Sequence, residues 1–198
     1  MFKGVGRMQD TRIDEKSDIN DKWYVIQTVS SEENKVIDYI SKYENQTDNE
    51  GKTVVKDCFV PKRELRKKIK GEWRTVTERI FPGYIFMVTD DPEKLFYLLK
   101  DVPRMTKLLG RDKDGFIELK SSEVDFISRI GNDRKDHTIK MSKIGFDEND
   151  KVILSGDLST MNGYIKKIDK HRRQAIVEVE MFGRKTEIYA GFEFMKKL

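Results

Sequence analysis

The stretch that decides the fold is Arg79-Ile80-Phe81-Pro82-Gly83-Tyr84-Ile85-Phe86-Met87-Val88. Its last four residues are apolar, which predicts a strand buried on both faces of a sheet. The segment from Phe81 to Tyr84 predicts a bend, because proline cannot donate to a sheet ladder and glycine adopts backbone angles that other residues avoid. The bend either caps the core with its two aromatic rings or holds them at the rim of an apolar docking pocket.

The composition limits the classes of protein to consider. A length of 198 residues allows one or two domains. Charged residues make up 37% of the chain but the net charge is only +4, so nucleic-acid binding would need local basic patches. The single Cys58 excludes an internal disulfide and a cysteine-based metal site. No apolar run approaches the ~18 residues of a membrane span, and the first residues lack a signal-peptide core, so we expect a cytoplasmic protein.

Residues 22–130 predict a domain in which strands and amphipathic helices alternate, preceded by a disordered leader over residues 1–21. A strand over Trp23–Val29 is followed by a helix over Ser31–Tyr43, for which Ser30 and Glu33 predict a capping box. A later helix is predicted to begin with Asp91 as N-cap, and a last one with Ser122 and Asp125 as caps.

The segment from Lys62 to Arg79 predicts a long, charge-rich hairpin that turns at Gly71. Such a hairpin is usually a solvated flap. Its excess of Lys and Arg, with Trp73 near the tip, makes nucleic-acid contact the alternative.

The pattern changes after residue 130. Residues 131–149 contain little apolar content and predict a flexible linker at a domain boundary. Residues 150–198 then form a second domain of short predicted strands and turns, including a tight hairpin connection at Phe182-Gly183-Arg184. The second domain is predicted to be a small all-β barrel.

An ordered set of motifs carries a family resemblance: Lys22-Trp23-Tyr24-Val25-Ile26-Gln27, Val60-Pro61, Phe81-Pro82-Gly83-Tyr84, Val102-Pro103-Arg104 and Gly110. In this order and spacing they resemble the N-terminal domain of NusG-type transcription elongation factors. Residues 150–198, with Asn162-Gly163 and Met181-Phe182-Gly183-Arg184, resemble the family's KOW domain. The resemblance covers residues 22–198 and implies an α+β fold: an antiparallel sheet flanked by helices, tethered to a small five-stranded SH3-like barrel.

The resemblance also implies a docking site for the clamp helices of bacterial RNA polymerase. Held there, the N-terminal domain would keep the polymerase closed, so that pausing becomes rarer. Cations on the hairpin and at Arg104 and Lys107 would touch the non-template DNA strand. The residues that correspond to the polymerase-binding site are Tyr24, Phe81, Pro82, Gly83, Tyr84, Val102 and Pro103.

The barrel departs from the general NusG pattern. Its first turn lacks the usual Gly-Pro-Phe lead, and the next turn holds five Lys or Arg within eight residues. A basic KOW domain is similar to the LoaP group of antiterminators, whose members bind a hairpin in the nascent RNA. A backbone-tracking patch of this kind predicts salt-sensitive RNA binding, whereas the alternative is a charged turn that only keeps the barrel soluble. The predicted RNA-binding residues are Lys166, Lys167, Lys170, His171, Arg172 and Arg173.

Phe182 lies where NusG-type KOW domains meet ribosomal protein S10 or Rho, and we expect it to be an exposed partner anchor. The alternative function is therefore a general NusG factor that couples transcription to translation through S10 without specific RNA binding. An enzyme is not expected, since Gly51-Lys52-Thr53 lacks the first glycine of a phosphate loop and His137 and His171 form no catalytic pair. We expect a monomer without a cofactor or metal.

Overall fold

The computed structural model describes residues 22–47, 49, 51–102, 107–108, 118–130, 137–146 and 152–195. The predicted disordered leader, residues 1–21, lies outside them. The described residues form twelve strands and four α-helices. In chain order these are β1 (Lys22–Gln27), α1 (Glu33–Ile40), β2 (Asp57–Phe59), β3 (Lys62–Ile69), β4 (Glu72–Arg79), β5 (Tyr84–Thr89), α2 (Pro92–Lys100), β6 (Lys107–Leu108), α3 (Ser121–Ser128), β7 (Thr138–Ile139), β8 (Ser142–Phe146), β9 (Val152–Ser155), α4 (Asp157–Thr160), β10 (Ile165–Asp169), β11 (Gln174–Met181) and β12 (Arg184–Phe194).

Strand β5 lies at the centre of the first sheet, as its apolar run predicts. The strand order is β2-β5-β1-β6, and every neighbouring pair is antiparallel. Ile85, Phe86 and Met87 have no exposed surface, so the prediction of burial on both faces is confirmed.

The two faces of this sheet pack against different partners. One face carries Tyr24 and Ile26 and packs against α1 and α2 through a cluster that includes Val36, Ile40, Leu95 and Leu99. The other face carries Trp23, Val25, Phe86 and Val88 and packs against Phe126 and Ile127 of α3. Side chains alternate along a strand, so each residue of β1 and β5 belongs to one face only.

The helix caps differ from two of the three predictions. The predicted cap of α2 is confirmed, because the Asp91 carboxylate accepts a hydrogen bond from the Lys94 N–H at 2.9 Å. The predicted box of Ser30 and Glu33 is wrong, since α1 begins at Glu33 itself and its N-cap makes no side-chain bond. The carboxylate of Glu33 is buried and accepts from Gly83 instead.

The predicted cap of α3 is also wrong. Helix α3 begins at Ser121, and the carboxylate that accepts from the backbone before it belongs to Glu123, not to Asp125. The Glu123 Oε2 atom accepts from the Lys120 N–H at 2.9 Å. Asp125 instead pairs with Arg129 one turn further on, at 3.0 Å.

The predicted long hairpin is confirmed. Strands β3 and β4 pair antiparallel from Lys62 opposite Arg79 to Ile69 opposite Glu72. Lys70 and Gly71 form the turn with positive φ angles of 51° and 87°. The hairpin sheet gains a third strand, because β7 pairs in parallel with β3.

Part of the predicted flexible linker is regular structure. Strands β7 and β8 lie within residues 131–149; β7 pairs with the hairpin, and β8 pairs in parallel with β12 and antiparallel with β9. Ile139 and Ile144 are fully buried, which anchors both strands. Sparse apolar residues therefore suffice here, because their partners come from distant parts of the chain.

The C-terminal sheet has five strands in the order β10-β11-β12-β8-β9. Four of them lie within residues 150–198, the predicted second domain, and the fifth is β8, which comes from the predicted linker. Met181 pairs with Arg184, leaving Phe182 and Gly183 as a two-residue turn with φ angles of 56° and 71°. Positive φ at both central residues is typical of the type I′ turn, so the predicted tight hairpin is confirmed.

The barrel packs directly on the N-terminal unit. The apolar cluster that contains Phe126 and Ile127 of α3 also contains residues of the barrel, including Val177, Val179, Ile188 and Phe192. On the hairpin side, a Cβ atom on Gly191 would lie 2.5 Å from the Glu64 carbonyl oxygen, so only glycine permits this approach of β12 to β3. The ion pair between Arg66 and Glu193, at 3.3 Å, lies beside this approach.

Candidate functional site

The bend before β5 is fixed by backbone hydrogen bonds around Gly83. The Gly83 N–H donates to Glu33 Oε1 at 2.7 Å, and the Gly83 carbonyl accepts from the Thr28 N–H at 2.9 Å. Gly83 has a φ of 82°, and a Cβ atom there would lie 3.1 Å from the Thr28 carbonyl oxygen. Glycine is therefore required at this position, and the orientation of the flanking aromatic residues follows from it.

Four aromatic rings meet at this bend, and we call them the aromatic cluster: Phe81, Tyr84, Phe86 and Phe182. The Phe182 ring stacks on Tyr84 at 4.9 Å and meets Phe81 edge-on at 5.7 Å between ring centroids. It also lies 6.2 Å from Phe86. Phe81 is 6% exposed and Tyr84 is half-buried. The β11–β12 hairpin of the barrel, which carries Phe182 and is called the barrel hairpin below, thus covers the predicted docking rings.

The predicted exposure of Phe182 is consequently wrong for this packed arrangement, and its role as a partner anchor stays a prediction. Phe182 is half-buried, and its backbone N–H donates to Glu123 Oε1 at 2.6 Å. The turn that carries it has the predicted geometry, but the surface that covers it belongs to a segment about a hundred residues away, which local sequence reasoning does not reach.

The other predicted docking residues do not gather at this cluster. Tyr24 and Val102 are buried on the opposite face of the first sheet, in the cluster formed with α1 and α2. The prediction that they lie beside Phe81 and Tyr84 is wrong: side-chain alternation along β1 directs Tyr24 to the other face, and Val102 follows α2, which packs on that face. Pro82 is exposed at the bend, and Pro103 lies outside the described residues.

Two carboxylates that organise the site were not assigned this role from the sequence. Glu33 holds the bend, and its second oxygen lies 3.5 Å from Arg79 Nε. Glu123 uses one oxygen for the start of α3 and the other for the Phe182 turn. A Glu within the first turn of a helix is the available signal, but it predicts a local cap and not a partner fifty or more residues away.

The predicted RNA-binding residues fall into two groups. Lys166 lies on the sheet, where its Nζ contacts Glu178 at 2.7 Å and Glu187 at 3.0 Å. These hydrogen bonds, the one to Glu178 foremost, raise the pKa of Lys166. Its charge is therefore balanced by two acids, and Lys166 does not join the turn. Lys167 is exposed on the same strand.

The remaining four residues form the turn between β10 and β11. Lys170, His171 and Arg172 are exposed, and Arg173 is half-buried with a φ of 54°. The Arg172 N–H donates to the Asp169 carboxylate at 2.9 Å, which lowers the pKa of Asp169 and fixes the shape of the turn.

This turn lies against the tip of the β3–β4 hairpin. The Arg173 guanidinium carbon is 5.1 Å from the centre of the Trp73 ring, a distance typical of a cation–π contact. The charged hairpin and the basic turn are distant along the chain, and this contact makes them neighbours.

A cleft of about 610 Å³ lies between α1, β2 and the segment before β7. The His137 ring stacks on Phe59 at 3.5 Å, and its Nε2 lies 3.2 Å from Asp57 Oδ2. Cys58 lines the same cleft, but burial raises the pKa of its thiol, so a nucleophilic thiolate is disfavoured. Within the described residues, no three or more His, Cys, Asp or Glu side chains are arranged to hold a metal ion.

Comparison with known proteins decides the family. A family model described as transcription termination factor nusG matches residues 21–128, which is more than half of the chain. The chain belongs to the NusG family. Relatives named "Transcription termination/antitermination protein NusG" match across both parts of the sequence. The relative from Halalkalibacterium halodurans is 29% identical, with 89% of this chain and 98% of the relative covered. The relative from Haemophilus influenzae is 25% identical, with 89% and 94% covered.

A solved structure titled "Domain interaction in Thermotoga maritima NusG" matches with a TM-score of 0.44 and 20% identity, covering 86% of this chain and 93% of that one. The NusG relatives are transcription factors by name, and this chain is a NusG-type transcription factor. No helix formed by the described residues is long and apolar enough to cross a membrane.

Proposed function

We propose that this NusG-family protein is a cytoplasmic elongation and antitermination factor of the LoaP type. Its N-terminal domain docks on the clamp helices of RNA polymerase and suppresses pausing and termination. Its basic barrel turn contacts the nascent RNA. The proposal separates into a docking step and an RNA step, which different residues support.

The docking step is supported by one observation above all: the aromatic cluster is held by a rigid bend. Hydrogen bonds from Gly83 to Glu33 and from Thr28 to Gly83 fix the backbone beneath Tyr84. Rings on a fixed backbone lose little conformational freedom on binding, which favours them as anchors. Phe182 already demonstrates that this surface accepts a stacked apolar group.

Docking requires that the Phe182 ring leave the cluster. Phe182 stacks on Tyr84 and contacts Phe81, so a polymerase helix cannot reach the same ring faces while the barrel hairpin covers them. The packed arrangement is thus a resting form in this proposal. Polymerase binds the separated form and draws the equilibrium toward it.

The RNA step is supported by the turn between β10 and β11. Lys170, His171 and Arg172 are exposed there, and the bond from Arg172 to Asp169 fixes the turn that carries them. A fixed row of cations suits a phosphate backbone, and its affinity should fall steeply with salt.

The docking step is tested by Tyr84→Ala. Tyr84 is half-buried, whereas truncation of the more deeply buried Phe81 would also remove core packing. Loss of an aromatic anchor costs about 2 kcal/mol. Loss of the Tyr84–Phe182 stack offsets roughly 0.5–1.5 kcal/mol of this by favouring the separated form, so binding to purified bacterial RNA polymerase should weaken by about 2- to 13-fold. Read-through of a terminator in single-round transcription should fall in parallel.

The matched control is Tyr97→Ala, which removes the same side chain from α2, where the ring is 64% exposed. Helix α2 packs on the face of the first sheet opposite to the aromatic cluster. This control should bind polymerase as the unmodified protein does. Equal binding by the Tyr84→Ala variant, with its circular dichroism unchanged, would count decisively against docking through the aromatic cluster.

A further inference from the structure

The contact between Arg173 and Trp73 joins the two halves of the molecule. Trp73 is 39% exposed, so the guanidinium covers only part of its ring. The position of Arg173 is fixed by its backbone, since its carbonyl accepts from the Phe192 N–H at 3.0 Å. The remaining surface of Trp73 is open to a ligand.

One face of the hairpin is directed to this contact. In the hairpin, Lys68 lies opposite Trp73 and Arg66 lies opposite Thr75. Because side chains alternate along each strand, these four side chains share one face. Arg66 on this face meets Glu193 of the barrel at 3.3 Å, and Trp73 meets Arg173, so this face contacts the barrel at the tip. Nearer the base of the hairpin, Arg63 on the other face lies 5.7 Å from the Tyr189 ring of the barrel. Lys68 is exposed next to Trp73.

The acidic groups near the hairpin tip lie mostly on the opposite face. Glu72 pairs with Arg74 at 3.1 Å, and Glu78 forms an ion pair with Lys67. All four belong to the face that Trp73 does not share. Charge on the barrel-facing side of the tip is therefore predominantly positive.

On the barrel side, the acid of the basic turn, Asp169, is engaged within that turn. Asp169 accepts from the Arg172 N–H at 2.9 Å and lies 4.0 Å from Arg172 Nε. Arg172 remains 75% exposed at its side chain, which leaves its guanidinium accessible from solvent.

We propose that these residues form one RNA-binding surface that neither domain possesses alone. We call it the hairpin–turn surface; it consists of Lys68, Trp73, Lys170, His171, Arg172 and Arg173. An unpaired RNA base stacks on the open part of Trp73, while Lys68 and Arg172 contact the flanking phosphates. Unpaired bases are the part of an RNA that aromatic and guanidinium groups recognise. The inference rests on the RNA step of the proposed function and adds the hairpin to it.

The surface also orders the two binding steps. It exists only while the barrel lies against the hairpin, so RNA bound there favours the packed arrangement. Polymerase docking requires the opposite arrangement. The hairpin–turn surface therefore captures RNA before docking, and the RNA loses its contacts with Lys68 and Trp73 when the barrel separates.

The test measures binding of a fluorescently labelled RNA stem–loop to the full-length protein at several salt concentrations. Trp73→Ala should weaken binding about 5- to 160-fold, the range expected for loss of one base stack. Lys68→Ala should weaken binding. It should also make the negative slope of log affinity against log salt shallower by about 0.7, as for the loss of one phosphate contact. Arg74→Ala is the control, because it removes one charge from the other face of the same hairpin. It should have less than half the effect of Lys68→Ala.

The variant Arg172→Ala separates this inference from the proposed function. If Arg172→Ala weakens binding but Trp73→Ala and Lys68→Ala do not, the barrel binds RNA alone and the shared surface is refuted. If the stem–loop does not bind the unmodified protein, or no variant alters its binding, the RNA step of the proposed function fails as well. A single-stranded DNA of the same sequence that binds equally well would contradict the assignment to RNA.

A fluorescence measurement gives an independent readout. The chain has two tryptophans, and Trp23 is buried in the core, so Trp23→Phe leaves Trp73 as the single indole reporter. Addition of the stem–loop should quench this emission as a base stacks on the ring. Emission that stays constant at saturating RNA would rule out stacking on Trp73.

Discussion

Glu123 shows how one side chain can connect two parts of a protein. Its carboxylate accepts from the Lys120 N–H and from the Phe182 N–H, and it is 4% exposed. The first bond begins α3, and the second holds the turn that covers the aromatic cluster. Buried acceptors with two backbone donors are costly to alter, because each donor left unpaired loses its partner in a dry environment.

We therefore predict that Glu123→Gln destabilises the packed arrangement. The glutamine amide has one carbonyl oxygen and would present its NH₂ group to one of the two N–H donors. The free energy of unfolding should fall by about 1–3 kcal/mol, measured by urea denaturation. Glu93→Gln, the same change at an exposed position in the first turn of α2, should have little effect. A similar small change for both variants would show that the second bond of Glu123 is dispensable.

At the scale of elements, β12 connects the barrel to the hairpin. It pairs with β11 along its length, with β8 near its end, and approaches β3 at Gly191. The approach depends on a missing side chain, since a Cβ atom on Gly191 would meet the Glu64 carbonyl oxygen at 2.5 Å and the Leu65 Cα at 3.0 Å.

Gly191→Ala should push β12 away from β3. Two of the three obstructing atoms belong to the backbone, and the third is Met141 Sδ at 2.6 Å. A side chain can turn away but the backbone cannot, so the strands must move apart, and overpacking of this kind destabilises by about 1–3 kcal/mol. The expected results are a lower midpoint of thermal unfolding and faster proteolysis between the hairpin and the barrel. Gly163→Ala is the matched control, because nothing lies within 4 Å of its Cβ position. Equal unfolding midpoints for the two variants would contradict the close approach.

The elements also show what the sequence can predict. Strand β5, the β3–β4 hairpin, the cap of α2 and the Phe182-Gly183 turn follow from local patterns, and each is confirmed. Strands β7 and β8 do not, because their burial depends on β3 and β12, which are far along the chain. The placement of Glu33 and Glu123 fails for the same reason. Partners that are distant in sequence leave no periodicity for local reasoning to detect.

At the scale of the whole molecule, the domains expected to be tethered loosely are packed together. One apolar cluster runs from Trp23 through Phe126 to Phe192, and the aromatic cluster lies at its edge. The roles proposed for Phe81 and Tyr84 in docking therefore depend on the equilibrium between packed and separated barrel, and not only on the residues themselves.

Phe182→Ala should accordingly increase affinity for RNA polymerase. Removing the ring uncovers Tyr84 and Phe81 and weakens the packed arrangement by roughly 0.5–1.5 kcal/mol, the range for one aromatic pair. Binding should strengthen by a few-fold to about tenfold, measured with purified polymerase in the assay used for Tyr84→Ala. The double variant Phe182→Ala with Tyr84→Ala should lose this gain. Weaker binding by Phe182→Ala alone would imply that its ring contacts polymerase directly.

When the Phe182 ring leaves the aromatic cluster, two surfaces become exposed. Separation of the barrel exposes both the bend at Phe81–Tyr84 and the Phe182-Gly183 turn. The two surfaces therefore become available together, one of each per molecule. Any molecule that binds the free Phe182-Gly183 turn would thereby keep the bend accessible to polymerase. Bound polymerase would raise the affinity for that molecule by the same factor. A partner of the free Phe182-Gly183 turn and polymerase would then strengthen each other's binding without contact, in contrast to RNA on the hairpin–turn surface, which opposes docking.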